Sequence, residues 1–316
     1  MRYFIINLLA VTLLLNCKGQ ETKSVSVAKP AKQPVSLKIS PIYEYDTQAL
    51  ITAIKDLSSD SFEGRRTGTK GAEKSRDYII NRFKAIGVKR LNENYIQDFE
   101  FKARTKTYKA QNLLAEIKGS EFPEKYIVIS AHYDHEGIKN GKIYNGADDD
   151  ASGVSALFAF AEYFKKNPPK HSVVLAAFDG EELGLKGAYH FVKEAKENII
   201  LNLNMDMISR SEDNVLFAVG TRYTSALKPV VEANKNFGKV NLVIGHEGLT
   251  KGDNWTHSSD HAAFHDKKIP FVYFGVPDHK DYHKPTDDFE NIDQAFFKDA
   301  VQTIINTFKG FDALSL

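Results

Sequence analysis

Five short stretches of this 316-residue chain concentrate the side chains that bind divalent cations. Four follow apolar runs: His132-Tyr133-Asp134 after 126–131, Asp179-Gly180-Glu181-Glu182 after 173–178, Asp206 after 199–205, and Asp281-Tyr282-His283 shortly after 271–276. The fifth, Gly146-Ala147-Asp148-Asp149-Asp150-Ala151-Ser152-Gly153, is a carboxylate-rich loop opening a helical stretch. Singly, each has an ordinary role, since acids at a helix start satisfy free N–H groups and complement the dipole. Jointly they need another explanation. If the apolar runs are strands of an open α/β sheet, their carboxyl ends share one crevice and the five stretches become one polar cluster.

Two histidines and three or four carboxylates, with no thiolate among them, suit zinc or a similar divalent ion. A single ion would be satisfied by three of these groups and would leave buried carboxylates unpaired. Two ions use them all if one aspartate bridges, and each keeps an open position. Such a pair polarises a carbonyl and supplies hydroxide near neutral pH. Adjacent Glu181 and Glu182 project in different directions, so one binds metal while the other addresses the water as general base. Asp134, two residues beyond His132, is placed to accept the second imidazole N–H.

These groups need a frame to hold them. Ile79, Phe83 and Ile86 recur at helical spacing, as do Val154, Leu157, Phe158, Ala161 and Phe164, and Gly or Pro bounds both sets. The runs 126–130, 172–178, 199–203 and 269–275 are short and nearly continuously apolar, which suits strands buried on both faces. Strands alternating with helices predict a three-layer α/β/α sandwich around a mixed, largely parallel sheet. Residues 96–118 read as antiparallel strands added at one edge. With no internal repeat and no second linker, residues 41–316 are expected to form one catalytic domain.

Residues 1–16 carry only Arg2 as a charged side chain, ahead of an apolar core too short to span a bilayer. They read as a signal peptide. Cys17, the single cysteine, follows that core where bacterial lipoproteins carry their acylated cysteine, although Asn16 replaces the usual small residue before it. Residues 17–40 then form a lipid-anchored linker, with five Lys, one Glu, two Pro and no aromatic residue in 18–40. The expected location is the cell envelope after export, touching membrane only through Cys17. No intrachain disulfide is possible. Over the whole chain 42 Lys+Arg balance 41 Asp+Glu, so no global field points to nucleic acid, and no obligate protein partner is evident.

His132-Tyr133-Asp134, Gly146 to Gly153, Glu181-Glu182-x-Gly, Asn204-Met205-Asp206-Met207 and Tyr282-His283, in that order, resemble the secreted bacterial dizinc aminopeptidases. Glutaminyl cyclases and glutamate carboxypeptidases are relatives of that family. The resemblance covers about residues 45–310 and implies a zinc exopeptidase fold with two Zn2+ per chain. Carried over residue by residue, it puts His132 and Asp206 on one zinc, Glu182 and His283 on the other, and Asp149 between them. Glu181 is then the base, and the substrate is a peptide cleaved at its amino-terminal bond. Asp149 is chosen over its neighbours by counting back from Ala151-Ser152-Gly153. Asp150 stands where many relatives have Asn.

Tyr282 is a candidate oxyanion or substrate contact. Ser61 to Thr69 looks like a segment near the start of relatives' catalytic domains, with structure as its alternative role. Ser259-Asp260-His261 supports the pocket in this reading and is no hydrolase triad, because contiguous residues do not converge as nucleophile, base and orienter. His135-Glu136 and His246-Glu247 lack the second histidine of a helical zincin. The rivals are a single-zinc glutaminyl cyclase, a glutamate-type carboxypeptidase and a catalytically inactive peptide-binding lipoprotein.

Overall fold

The computed structural model describes residues 42–249 and 253–314. The leader, Cys17 and the linker therefore lie outside the described residues. The strands are β1 (Lys89–Arg90), β2 (Ile96–Ala103), β3 (Lys106–Ile117), β4 (Phe122–His132), β5 (Gly137–Lys139), β6 (Lys142–Tyr144), β7 (His171–Phe178), β8 (Asn198–Met205), β9 (Val215–Val219), β10 (Asn236–Phe237), β11 (Val240–Ile244) and β12 (Phe271–Gly275). The helices are α1 (Thr47–Leu57), α2 (Lys70–Ile86), α3 (Ser152–Lys166), α4 (Lys186–Glu194), α5 (Lys228–Ala233), α6 (His261–Asp266) and α7 (Gln294–Asp312).

Ten strands form one mixed sheet in the order β1-β3-β7-β4-β8-β12-β9-β11-β10, with β2 also paired to β3. The four central strands β7, β4, β8 and β12 are mutually parallel, so their carboxyl ends open on one side. They are the four apolar runs that precede the ligand-type residues. The edge expectation also holds, with β2 and β3 antiparallel from Ile96↔Leu113 to Ala103↔Lys106. The β5–β6 hairpin stands apart from the main sheet.

Alternate residues of the central strands supply two cores. Ile127, Ile129, Ala131, Val173, Leu175 and Ala177 face α1, α2, α3 and α7, while Val128, Val174, Ala176 and Phe178 face α4 and α6. That alternation places helices on both faces of the sheet, the expected sandwich. Capping follows the sequence: Asp46 accepts from the N–H groups of Gln48 and Ala49 to start α1, and Gly87 at φ 94° ends α2. Helix α3 departs from a simple amphipathic stripe, since Ser155, Phe160 and Tyr163 are buried as well. It is enclosed by α1, α2, α7 and the sheet, and each large side chain so buried contributes roughly 1.5–3 kcal/mol. Among the described residues no helix is long and apolar enough to cross a membrane.

Candidate metal centre

His132 is the last residue of β4, Asp206 the first beyond β8, and Glu181-Glu182 occupy the turn after β7. Gly180, at φ 76°, reverses the chain there and brings both glutamates back over the strand ends. His283 arrives on the loop after β12, itself at φ 51°. Asp149 lies in the loop that leads into α3. Six residues from five segments thus converge above the parallel centre of the sheet.

The three consecutive aspartates part company. Asp148 turns to Ser209, whose N–H and hydroxyl each donate to Oδ1 at 2.7 Å, and to His279 Nε2 at 3.1 Å. Asp150 accepts the N–H groups of Gly153, His132 and Met207, so it caps α3 and braces two strand ends. Asp149 alone faces the cluster. Its Oδ1 lies 3.1 Å from His132 Nε2, and its Oδ2 lies 3.2 Å from His283 Nε2. Asp206 Oδ1 is 3.5 Å from His132 Nε2, and Glu182 Oε2 is 3.4 Å from His283 Nε2. Each oxygen of Asp149 therefore belongs to a separate imidazole–carboxylate group.

Burial favours neutral imidazole at His132, but the Asp206 and Glu181 carboxylates outweigh it and raise its pKa well above the usual value. Burial and Asp149 raise the proton affinity of Glu182, yet His135 and His283 hold its pKa at about 2. Against its own burial, His283 is pushed up to about 10 by Asp149 and Glu182. Protons on imidazole are the cations that balance these carboxylates. A divalent ion that displaces those protons supplies the same compensation, and the N/O donor set with no thiolate is the set zinc accepts. Buried Glu182 Oε1 has no hydrogen-bond partner, as expected of an oxygen shaped for an ion. The residues fit a divalent metal.

One expectation needs correction. The His132 Nδ1–H donates to the backbone carbonyl of Asp134 at 3.0 Å, whereas the Asp134 carboxylate stands 3.9 Å away. That carboxylate instead accepts the Glu181 N–H at 3.0 Å and the Thr67 hydroxyl at 3.1 Å. The chain turns sharply after β4, which delivers the carbonyl to the ring first. Asp134 thus orients His132 by its main chain and the Glu181 turn by its side chain.

Several supporting residues lie outside the expected ligand set. Arg65, 1% exposed, donates to the carbonyls of Tyr133, Leu57, Asn145, Gly146 and Asp149. Ser61 to Thr69 therefore ties the His132 and Asp149 loops together, with Thr67 also donating to Asp179 at 2.7 Å. Asp287 accepts the N–H groups of Asp148 and Asp149. His135, fully buried, places Nδ1 2.8 Å from Glu182 Oε1 and 3.6 Å from Asp149 Oδ2. In the sequence it stands only in His135-Glu136, a His-Glu pair without the second histidine of a helical zincin. Ser259-Asp260-His261 diverge as expected: Ser259 accepts from Asn204 Nδ2, His261 bonds the Trp255 carbonyl, and the buried Asp260 carboxylate has no partner.

A cleft of about 280 Å³ opens on the cluster, lined by His132, Asp149, Glu181, Asp206 and His283 together with Met207, Trp255, Tyr273, Val276, Asp278 and Tyr282. Tyr282 stacks on His283 at 3.9 Å between ring centroids.

Residues 112–308 match the model of peptidase family M28. Aminopeptidase YwaD of Bacillus subtilis is 28% identical over 224 residues, 66% of this chain and 47% of its own length, so the chain spans about half of that relative. The fold superposes on a zinc aminopeptidase of Bacillus subtilis with a TM-score of 0.68 at 16% identity, covering 84% of this chain and 95% of that one. It superposes equally on Porphyromonas gingivalis glutaminyl cyclase, TM-score 0.70 at 16% identity, covering 85% and 100%. At such identities the likeness establishes the zinc exopeptidase fold.

Proposed function

The chain belongs to peptidase family M28, and from that premise we propose that it is a dizinc aminopeptidase that removes amino-terminal residues from peptides. The observation that carries the proposal is the division of the Asp149 carboxylate between two imidazole–carboxylate groups, with Glu181 beside them in the cleft wall. His132, Asp206 and Asp149 would hold one ion, and Glu182, His283 and Asp149 the other. When bound, the ions supply Lewis-acid polarisation of the scissile carbonyl and bring the pKa of water toward neutrality.

The rest is done by the chain itself. Glu181 accepts a proton from the attacking water at its carboxylate and returns it to the nitrogen of the leaving amine. Burial raises the proton affinity of this group, and the neighbouring carboxylates Asp206, Asp260 and Glu182 add to the effect against His132. The Asp134 bond to the Glu181 N–H fixes the turn that aims it. Tyr282, half-buried in the cleft wall and stacked on His283, would donate its hydroxyl to substrate oxygen.

Cleft chemistry favours the amino terminus over the carboxyl terminus. Asp278, outside the ligand set, suits an ammonium, and among the described residues that line the cleft there is no Lys or Arg to receive a carboxylate. Its small volume suits one terminal side chain against Met207, Trp255 and Val276. The test is mass spectrometry of a single unblocked peptide with an internal label and an amino-terminal Gln control. Stepwise shortening from the amino end supports the proposal. Loss of one ammonia from the Gln peptide without shortening would assign cyclase chemistry instead.

We also propose that the enzyme acts outside the cytoplasm on a lipid tether at Cys17, on the strength of its position after the apolar leader. Palmitate labelling lost on Cys17→Ser tests this.

A further inference from the structure

His135 is the one imidazole of the cluster outside the expected ligand set. It is fully buried, and neither ring nitrogen has a hydrogen-bond partner. An imidazole sealed from water with both nitrogens unsatisfied is costly, so the site must offer it something besides hydrogen bonds. Its Nδ1 approaches Glu182 Oε1 to 2.8 Å, yet the oxygen lies off the direction an N–H would point. Glu182 Oε1 is likewise without a hydrogen-bond partner. Two donor atoms that meet closely without bonding each other are aimed at a common point.

That point belongs to the second ion. His135, Asp149 and Glu182 present ligand atoms all within 4.8 Å of one another, and His283 Nε2 lies 3.2 and 3.4 Å from the same two carboxylates. The rings of His135 and His283 are tilted by 59° with centroids 6.0 Å apart, two imidazoles converging from different directions. The backbone makes room for the additional ring. Gly146, at φ 55°, lies under it, and a Cβ there would meet the His135 ring at 2.5 Å.

We infer that His135 is a direct metal ligand, so that one ion is held by Asp149, Glu182, His283 and His135 while the other has only His132, Asp149 and Asp206. This inference rests on the dinuclear reading above. It makes the centre asymmetric: four protein donors against three, two imidazoles against one. The ion on the His135 side is then the tighter and the later to leave.

The test loads the full protein with cobalt(II) and counts the hyperfine-shifted exchangeable imidazole N–H resonances, alongside cobalt titration against a chelator. Wild type should take up two ions and show one resonance each from His132, His135 and His283. His135→Gln should lose one resonance and bind one of its ions more than roughly 100-fold more weakly, beyond the 10–100-fold that loss of an outer partner brings. Two ions with identical resonances and affinities in both proteins would overturn the ligand role and leave the dinuclear reading standing. Uptake of a single ion would sink the dinuclear reading, and the wild-type spectrum would still decide His135. A shifted His135 resonance upholds the assignment and its absence overturns it, whether or not the variant folds.

Discussion

The Asp287 carboxylate holds Asp149 by its backbone, accepting its N–H at 3.1 Å as well as that of Asp148. The Asp287 carbonyl accepts a third consecutive N–H, from Ala147. Asp287 lies four residues beyond His283, so this contact joins the loop that carries that imidazole to the loop that carries Asp149. Asp287→Asn preserves shape but turns an amide N–H₂ toward donors. The expected result is an intact fold with metal affinity reduced about 10–100-fold, as for other outer partners. Chelator competition reads it directly, and unchanged affinity would show that the loop holds itself.

Arg65 satisfies five carbonyls from a site closed to water. Arg65→Met would leave them unpaired, at about 1–3 kcal/mol for each one that finds no water. A loss of at least about 3 kcal/mol is expected in urea denaturation. Arg65→Lys should restore little, because a single ammonium does not reproduce the planar fork.

Glu181→Gln keeps the size of the side chain and removes its basicity. Metal content by plasma mass spectrometry should stay at the wild-type value while turnover falls roughly 10²–10⁴-fold. Wild-type turnover in this variant would remove Glu181 from the role of base.

Metal removal leaves the balance of Asp149, Glu182 and Asp206 to imidazole protons in place of bound ions. Ions that bind only the folded chain stabilise it by mass action. Dialysis against a chelator should therefore lower the melting temperature, and readdition of zinc should restore it in a concentration-dependent way. A melting temperature indifferent to zinc would contradict a folded-state site.

His261 lies stacked against Tyr273 at 4.5 Å between centroids, and burial pulls its pKa down to about 3. Unfolding restores a histidine pKa near 6.5. Between those values the unfolded chain binds a proton that the folded chain refuses, so stability falls as pH drops below about 6.5. From this group alone the fall approaches about 1.4 kcal/mol per pH unit. In the metal-free protein, His261→Phe should be less stable at pH 8 yet show a shallower acid slope. Equal slopes in variant and wild type would mean that His261 does not govern it.

Local pattern carried much of the outcome. Nearly continuous apolar runs read as buried strands because both faces of β4, β7 and β8 pack against helices. Ligand-type residues at the ends of four such runs implied a shared crevice, because parallel strands share a carboxyl edge. What only the tertiary structure decided is where side chains from distant segments point. The resemblance picks out Asp149 among three chemically identical aspartates, but what Asp148 and Asp150 do instead rests on partners 131 residues away at His279, 61 away at Ser209 and 57 away at Met207. Arg65, within the Ser61 to Thr69 segment, and Asp287 act through backbone carbonyls and N–H groups, which every residue possesses, so residue type alone does not reveal their role. His135-Glu136 lacks the second histidine of a helical zincin, and His135 acquires its surroundings only when the Glu182 turn folds over it. Periodicity and residue type determine which elements form and which chemistry is available, because those preferences are local. Which oxygen faces which nitrogen is a property of packing between segments far apart in the chain, and that is settled only when the sheet closes.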